Sequence, residues 1–301
     1  MKILISGASG LVGAKLVPAL TSHGHEVVRL VRDKAKAQGD AAFWDPKGGF
    51  IDPGAISSCD AAVNLAGESI AAGRWTANRK RAIRESRVDA TTTIAKAFSA
   101  LERKPRVLVN ASAVGYYGSR GDEWLDESSS SGRGDFLSGV CRDWEAATEP
   151  ARRAGVRVVM TRFGVILSKR GGALATMLTP FKLGLGGRIG DGQQYMSWIA
   201  IDDVIGAILH SLGTEALAGP VNMVAPNPAT NAEFTKTLGK VISRPTLFPM
   251  PAFAAKLVFG EMGEELLLGS QRVRPAKLLE SGYVFKYPEL ETALRHVLQD
   301  A

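Results

Sequence analysis

Short apolar runs alternate with stretches of helical spacing through the first 165 residues. Lys2-Ile3-Leu4-Ile5-Ser6 reads as a buried strand. Leu11, Val12, Leu16, Val17 and Leu20 then share a helical face, and His25 to Arg32 reads as a second strand. Between the first strand and the helix lies Gly7-Ala8-Ser9-Gly10-Leu11-Val12-Gly13. Its G-x-x-G-x-x-G spacing departs from the commoner G-x-G-x-x-G, but its place between strand and helix gives it meaning. A helix N-terminus there offers free N–H groups and a positive dipole end, and glycines let phosphate oxygens approach the backbone. The unit therefore predicts a dinucleotide site. Pro18 removes a backbone donor and should bend or loosen this helix.

The alternation continues. Asp33 to Asp60 is irregular, with Ala42-Phe43-Trp44 as a candidate third strand. Ala61 to Ala66 is the next strand, a long helix covers about 76–100, and Arg106 to Ser112 is a further strand. A polar segment leads to a helix over about 135–154, with Phe136, Val140, Trp144 and Ala147 on one face. Val156 to Phe163 is the strand that follows. This pattern predicts an α/β fold, a Rossmann-type doubly wound parallel sheet with helices on both faces. Ligands in such sheets sit beyond the carboxyl ends of the strands. Three strand ends should therefore converge: Gly7–Gly13, Asn64–Glu68 and Ser112–Gly118.

The second half is less regular. Gly184 to Gly192 reads as a loop, Ser197 to Asp203 leads into a helix reaching His210, and Pro220 to Val224 is a strand candidate. Asn231 is a candidate cap for a helix starting near Glu233. The expected division is a cofactor-binding Rossmann domain over 1–166, with 201–226 returning to it. A substrate-side region would take 167–200 and 227–301, including a smaller, mostly helical C-terminal module at about 249–301.

Composition narrows the function classes. The 301 residues are 45% hydrophobic, with mean hydropathy near zero, and no apolar run reaches the ~20 residues of a membrane span. A cofactor strand beginning at Lys2 leaves no room for a cleaved signal peptide, so a reducing cytoplasm is the expected compartment. Cys59 and Cys141 are isolated, and His23, His25, His210 and His296 are scattered, so neither a disulfide framework nor a metal is expected. The net charge of +7 does not point to nucleic acid, because Lys and Arg are dispersed without interleaved aromatics. The densest cluster, Arg79-Lys80-Arg81 with Arg84 and Arg87, reads mainly as a solvated helix face. At the second strand's end an acid would bind the ribose of NAD, whereas an arginine accommodates the 2′-phosphate of NADP. Arg32 stands there and favours NADP(H), with Asp33 as a competing ribose ligand if the register shifts.

An ordered set of segments carries a family resemblance: ISGASGLVG at 5–13, CDAAVNLAGESI at 59–70, GRW at 73–75, SAVGYYG at 112–118 and DFLSGVCRDWE at 135–145. It continues with TRFGVILS at 161–168, SWIAIDD at 197–203, TNAEF at 230–234 and FGEMGEELLLGSQRVRPAKLLESGYVF at 259–285. On these the chain resembles the atypical or extended short-chain dehydrogenase/reductases. More narrowly, it resembles the NAD(P)-dependent epimerase/dehydratase-like family that ends in a C-terminal domain of unknown function. The resemblance implies that Gly7, Ser9, Gly10, Leu11, Val12 and Gly13 wrap the pyrophosphate. It implies that Arg32, with the Val31 backbone, meets the 2′-phosphate, and that Asn64, Leu65, Ala66 and Gly67 lie under the adenine-side ribose and phosphates. Arg81 and Ser86 would reach the cofactor from the long helix. Ser112, Arg162 and the Phe163-Gly164-Val165 backbone would border the nicotinamide.

One departure from the superfamily pattern stands out. Its members use a Tyr with a Lys four residues later, the Lys lowering the Tyr pKa. By the DFLSGVCRDWE match these positions are Leu137 and Cys141. Ser112 keeps the superfamily's substrate-orienting Ser/Thr. Tyr116 and Tyr117 follow closely, either as catalytic candidates or as aromatic packing around a cofactor. Glu68 reads as fixing a loop. Two functions follow: an NADP(H)-dependent epimerase or oxidoreductase acting on an unidentified small molecule, for instance a sugar nucleotide, or a non-catalytic NADP(H) sensor or partner-binding protein. Neither substrate nor oligomeric state is set by these residues.

Overall fold

The computed structural model describes residues 1–299; Asp300 and Ala301, the end of the expected C-terminal module, lie outside the described residues. The central sheet has eight strands: β1 (Lys2–Ser6), β2 (Glu26–Val31), β3 (Ala41–Asp45), β4 (Phe50–Ile51), β5 (Ala61–Asn64), β6 (Val107–Ala113), β7 (Arg157–Phe163) and β8 (Gly219–Met223). Their order is β8-β7-β6-β5-β1-β2-β3-β4. All neighbours run parallel except β4, which returns antiparallel on β3. The chain builds outwards from β1 through β2 and β3, then restarts at β5 on the other side. The switch point, where such sheets bind ligands, is thus the crevice beyond β1 and β5.

Period-2 alternation feeds two cores. Ile3, Ile5, Val63, Val107 and Val109 pack on one face with Leu16, Leu20, Ile205 and Ile208. Leu4, Ala62 and Leu108 pack on the other with Ile94, Phe98 and Val158. The covering helices are α1 (Gly13–Ser22), α2 (Ala77–Ala100), α3 (Phe136–Ala146), α4 (Glu149–Arg153) and α5 (Ile201–Gly213). Thr76 caps α2 by accepting the Arg79 N–H.

Several elements differ from expectation. α1 starts at Gly13 rather than Leu11 and runs through Pro18. The single helix expected over 135–154 is two helices, with Pro150 in the first turn of the second, where a missing N–H is tolerated. Gly172–Lys182 forms a helix that the sequence reading did not single out. Thr230, not Asn231, caps the helix Asn231–Ile242, in a reciprocal capping box with Glu233. The Asn231 carboxamide instead accepts the Ile189 N–H at 2.7 Å.

The C-terminal region is helical, with Ala252–Phe259, Glu261–Leu267, Ala276–Glu280 and Leu290–Gln299. Two of its ties to the sheet layer bear on the site. Asp203 in α5 is fully buried and accepts N–H bonds from Lys286 and Tyr287 at 2.7 and 2.9 Å. The Glu265 carboxylate accepts the Phe136 and Leu137 N–H groups, both at 2.9 Å, and so closes the N-terminus of α3. Among the described residues no helix is long and apolar enough to cross a membrane.

Candidate functional site

A cleft of about 1240 Å³ opens at the switch point. The turn after β1 forms its floor and depends on steric exclusion. Gly7 has φ +69°, and a Cβ there would meet the Leu65 carbonyl oxygen at 2.7 Å. A Cβ on Gly13 would stand 2.3 Å from the Gly7 oxygen and 2.7 Å from Ala8 Cα. Both glycines are required for the turn to pack against the loop after β5 and against itself. Gly10 differs: its Cβ would sit 3.3 Å from the Gly7 oxygen, so little in the fold forbids a side chain there. It lines the cleft, where a bare backbone admits a ligand oxygen.

Of the expected cofactor residues, Gly7, Ser9, Gly10, Val31, Arg32, Leu65, Ala66, Gly67, Arg81 and Ser86 line this cleft. Lys36, Phe43, Trp44 and Lys47 line it as well and had no local sequence signal. Asp33, the competing ribose ligand, caps a short turn over Lys34–Lys36 by accepting the Ala35 N–H at 3.1 Å. Its other oxygen faces Lys36 Nζ at 3.8 Å. Asp33 itself lines the cleft, as do Asp45 and the basic Arg32, Lys36 and Lys47. Ser86 Oγ accepts the Glu68 N–H at 3.1 Å and so holds the loop after β5. The Glu68 carboxylate pairs with Arg79 at 3.4 Å, a loop-fixing contact.

Other expected residues are placed differently. Asn64 is fully buried and does not line the cleft. Its carboxamide accepts from Ser6 Oγ at 2.5 Å and donates to Thr91 Oγ1 at 2.9 Å and Asn110 Oδ1 at 2.6 Å. It ties β1, β5, β6 and α2 together, so its side chain is committed within the sheet layer. Leu11, Val12 and Gly13 also stand off the lining; Leu11 packs towards Gly171 and Gly172, and Val12 is the N-cap of α1. The solvated-face reading of the basic cluster fails for Arg79 and Arg87, whose side chains turn inward.

At the end of β6 a second group forms beyond the lining of this cleft. Ser112, 2% exposed, donates from Oγ to Glu145 Oε1 at 2.7 Å. Arg162 donates to both Glu145 oxygens at 2.8 Å, a bidentate pair with side chains 3% and 10% exposed. Arg162 Nη1 also donates to Tyr117 Oη at 2.9 Å, and Tyr117 donates to Asn222 Oδ1 at 2.7 Å. The Arg162 guanidinium stacks 3.5 Å from the Tyr116 ring centroid. Burial works to lower the Arg162 pKa, but the Glu145 carboxylate outweighs it and holds the cation above its ordinary value. Burial pushes the Tyr117 phenol up to about 12, against the pull of Arg162. Tyr117 is therefore neutral at physiological pH, with its hydroxyl committed inward. The Arg162 side chain likewise faces Glu145 and the tyrosines rather than open space. Phe163, Gly164 and Val165 continue from β7; a Cβ on Gly164 would meet the Ser197 oxygen at 2.3 Å, so that backbone is locked against the neighbouring chain.

Leu137 and Cys141 face the same region. A Cβ on Gly115 would lie 3.3 Å from Leu137 Cβ and 4.0 Å from Cys141 Sγ. Burial raises the Cys141 thiol to about 12, leaving it protonated and inert.

The parallel sheet, its switch-point cleft and the steric glycine turn define a Rossmann-type α/β protein. Comparison with known proteins narrows this. Residues 3–223 match the NAD dependent epimerase/dehydratase family, and residues 250–297 match a domain of unknown function, DUF1731. The chain belongs to the NAD dependent epimerase/dehydratase family. It is 43% identical over 292 residues to epimerase family protein MT2273 of Mycobacterium tuberculosis, covering 97% of this chain and 96% of that one. It is similar to the crystal structure of human epimerase family protein SDR39U1 with NADPH, with a TM-score of 0.91, 37% identity and full coverage of both chains. A nucleoside-diphosphate sugar epimerase of Corynebacterium glutamicum matches at 39% identity and a TM-score of 0.82, covering 99% of this chain and 58% of that one.

Proposed function

We propose that this chain binds NADP(H) and transfers hydride to and from a small hydroxyl-bearing substrate, with a sugar nucleotide as the substrate class. One observation carries the cofactor choice. Arg32, Lys36 and Lys47 line the adenosine end of the cleft, while the Asp33 carboxylate is committed to its own turn. Asp33 and Asp45 also line this end, so the choice rests on the three cations, which suit a 2′-phosphate. The fit of the group is supported by the bare Gly10 backbone at the start of α1. The human relative crystallised with NADPH supports the same choice, and the Corynebacterium relative supports the substrate class.

When bound, the nicotinamide supplies or accepts hydride. The rest falls to this chain's residues. Gly7, Ser9 and Gly10 hold the phosphates against the backbone. Arg32 and Lys36 fix the adenosine end. Ser112 has its single proton on Glu145, so its lone pairs accept a hydrogen bond from a substrate hydroxyl. Arg162 orients Glu145 through its two hydrogen bonds, and Tyr117 and Asn222 keep Arg162 in place. Tyr116 and Tyr117 are packing and positioning residues in this reading.

A second reading, cofactor binding without turnover, is favoured by the proton chemistry. Tyr117 is buried and neutral, and Leu137 and Cys141 offer no acid or base.

Equilibrium fluorescence titration tests the cofactor. NADPH should bind at least ~10-fold more tightly than NADH, and Arg32→Met should remove most of that difference, the value of one charge-assisted contact. Tighter NADH binding by the wild type would sink the assignment. Turnover of a sugar-nucleotide panel, followed by product analysis, separates the two readings. Ser112→Ala should cut the rate by roughly 10²-fold while leaving the NADPH Kd unchanged. An undiminished rate would remove Ser112 from the reaction, and tight NADPH binding with no turnover across the panel would favour the second reading.

A further inference from the structure

The first half of α2 carries five basic residues, and four have evident tasks. Arg79 pairs with Glu68 at 3.4 Å, Lys80 with Glu261 at 2.6 Å and Arg84 with Asp143 at 2.6 Å. Arg81 is exposed on the cleft. Arg87 is different. It lies between the loop after β5 and the inner face of α3. A Cβ on Gly67 would stand 3.3 Å from Arg87 Cγ and Cζ and 3.4 Å from Nη1, so the guanidinium rests against the loop where the loop has no side chain. Its other flat contact is Trp144, 5.0 Å from the ring centroid.

The guanidinium has five N–H donors. Among the described residues one hydrogen bond uses them, from Nη1 to the Ile83 carbonyl one turn back at 2.8 Å. No carboxylate of the described residues lies within ion-pair distance, since the nearby Glu68 is held by Arg79. Burial accordingly pulls the Arg87 pKa below its ordinary value. A half-buried cation with no counter-charge is costly, and such groups mark places where a ligand completes the set.

Its position says which part of a ligand. Gly67 belongs to the loop that lines the cofactor cleft. Trp144 and Cys141 belong to α3, and Cys141 faces the chain just past Ser112. Cys141 also stands where the resemblance places the superfamily's lysine. Arg87 and Cys141 are close enough to influence each other's charge. A cation is thus present beside that position, supplied from the opposite helix.

We propose that Arg87 binds the nicotinamide half of the cofactor, donating to oxygens of the nicotinamide ribose phosphate from beneath Gly67, in place of the lysine missing at Cys141. The inference rests on the NADP(H) reading. Arginine does not release its proton, so Arg87 cannot act as an acid. It is a fork of donors held beside the Trp144 ring. It orients the hydride-carrying end without tuning a neighbouring phenol, which matches the absence of a tyrosine at position 137.

The test uses the intact chain and two ligands, NADPH and adenosine 2′,5′-bisphosphate, which lacks the nicotinamide half. Arg87→Met keeps the length and the apolar packing on Trp144 but removes the charge. The NADPH Kd should rise about 10-fold or more, as for a lost charge-assisted hydrogen bond. The bisphosphate Kd should not move, and Arg87→Lys should recover part of the NADPH affinity. The ligand-free Tm of Arg87→Met should equal or exceed that of the wild type, because an unpaired cation has gone. Unchanged NADPH affinity in Arg87→Met overturns the inference alone. Equal weakening of both ligands with a lowered Tm also overturns it, since Arg87 would then merely support the Gly67 loop. A wild type that binds no NADPH overturns the cofactor reading and this inference together.

Discussion

Gly13→Ala is expected to lose both the fold of the turn and the affinity for NADPH. The added Cβ would lie 2.3 Å from the Gly7 oxygen and 2.9 Å from the Ala8 carbonyl carbon, all backbone atoms that cannot step aside. Overpacking of this severity costs about 3 kcal/mol or more. In a chain of this size that lowers Tm by roughly 5–10 °C. Gly10→Ala makes the informative comparison. Its Cβ would approach the Gly7 oxygen at 3.3 Å, a small adjustment, so stability should change by less than about 1 kcal/mol. NADPH affinity should still fall at least ~10-fold, because the methyl occupies the approach to the helix N-terminus. Thermal melts and cofactor titrations on both variants check this. A Gly13→Ala protein with wild-type Tm, or a Gly10→Ala protein with wild-type affinity, would contradict the roles assigned to these glycines.

The second large effect is expected at the Glu145–Arg162 pair. Removing one partner of a buried bidentate pair leaves an uncompensated charge and costs about 3–5 kcal/mol. Glu145→Ala should therefore lower the midpoint of urea unfolding sharply, and with it the order of Ser112 and Tyr117, which share the pair's hydrogen bonds. The double variant Glu145→Leu/Arg162→Met should recover most of that loss, because an apolar pair of similar volume avoids the desolvation of both charges. Equal unfolding midpoints for wild type and Glu145→Ala would show that the pair is not buried in solution.

Both predictions concern residues whose importance was unequally visible in the sequence. The glycine turn could be read because its signal is local: three glycines between an apolar run and an amphipathic helix. The parallel sheet was readable for the same reason, since β1, β5, β6 and β7 each carry a continuous apolar run. The Glu145–Arg162 pair could not be read. Its members lie on α3 and β7, and their contact follows from how α3 lies across the sheet. Arg87 was read as one of several solvated helix charges, and its inward turn depends on the missing side chain at Gly67 and on Trp144 across the gap. The side-chain role of Asn64 was not legible either, because at a strand end beside a loop nothing local says whether a side chain points into the sheet layer. The two-residue β4 is too short for an alternation pattern, and Pro180 and paired glycines obscured the helix Gly172–Lys182.

The pairing of α1 with α5 also bears on how the chain is made. Leu16 and Leu20 are fully buried in a core completed by Val204, Ile205, Ile208, Leu294 and Val297. α5 leaves the ribosome about 180 residues after α1 ends. At about 5–20 residues per second that interval is on the order of 10–40 s. During it, the α1 stripe has only the sheet residues of the cofactor-side half to pack on, and the flank that α5 completes is open. The later segment 201–213 and the final helix therefore complete the cover of α1 after synthesis, and a chain stalled before α5 would present that open flank to chaperones.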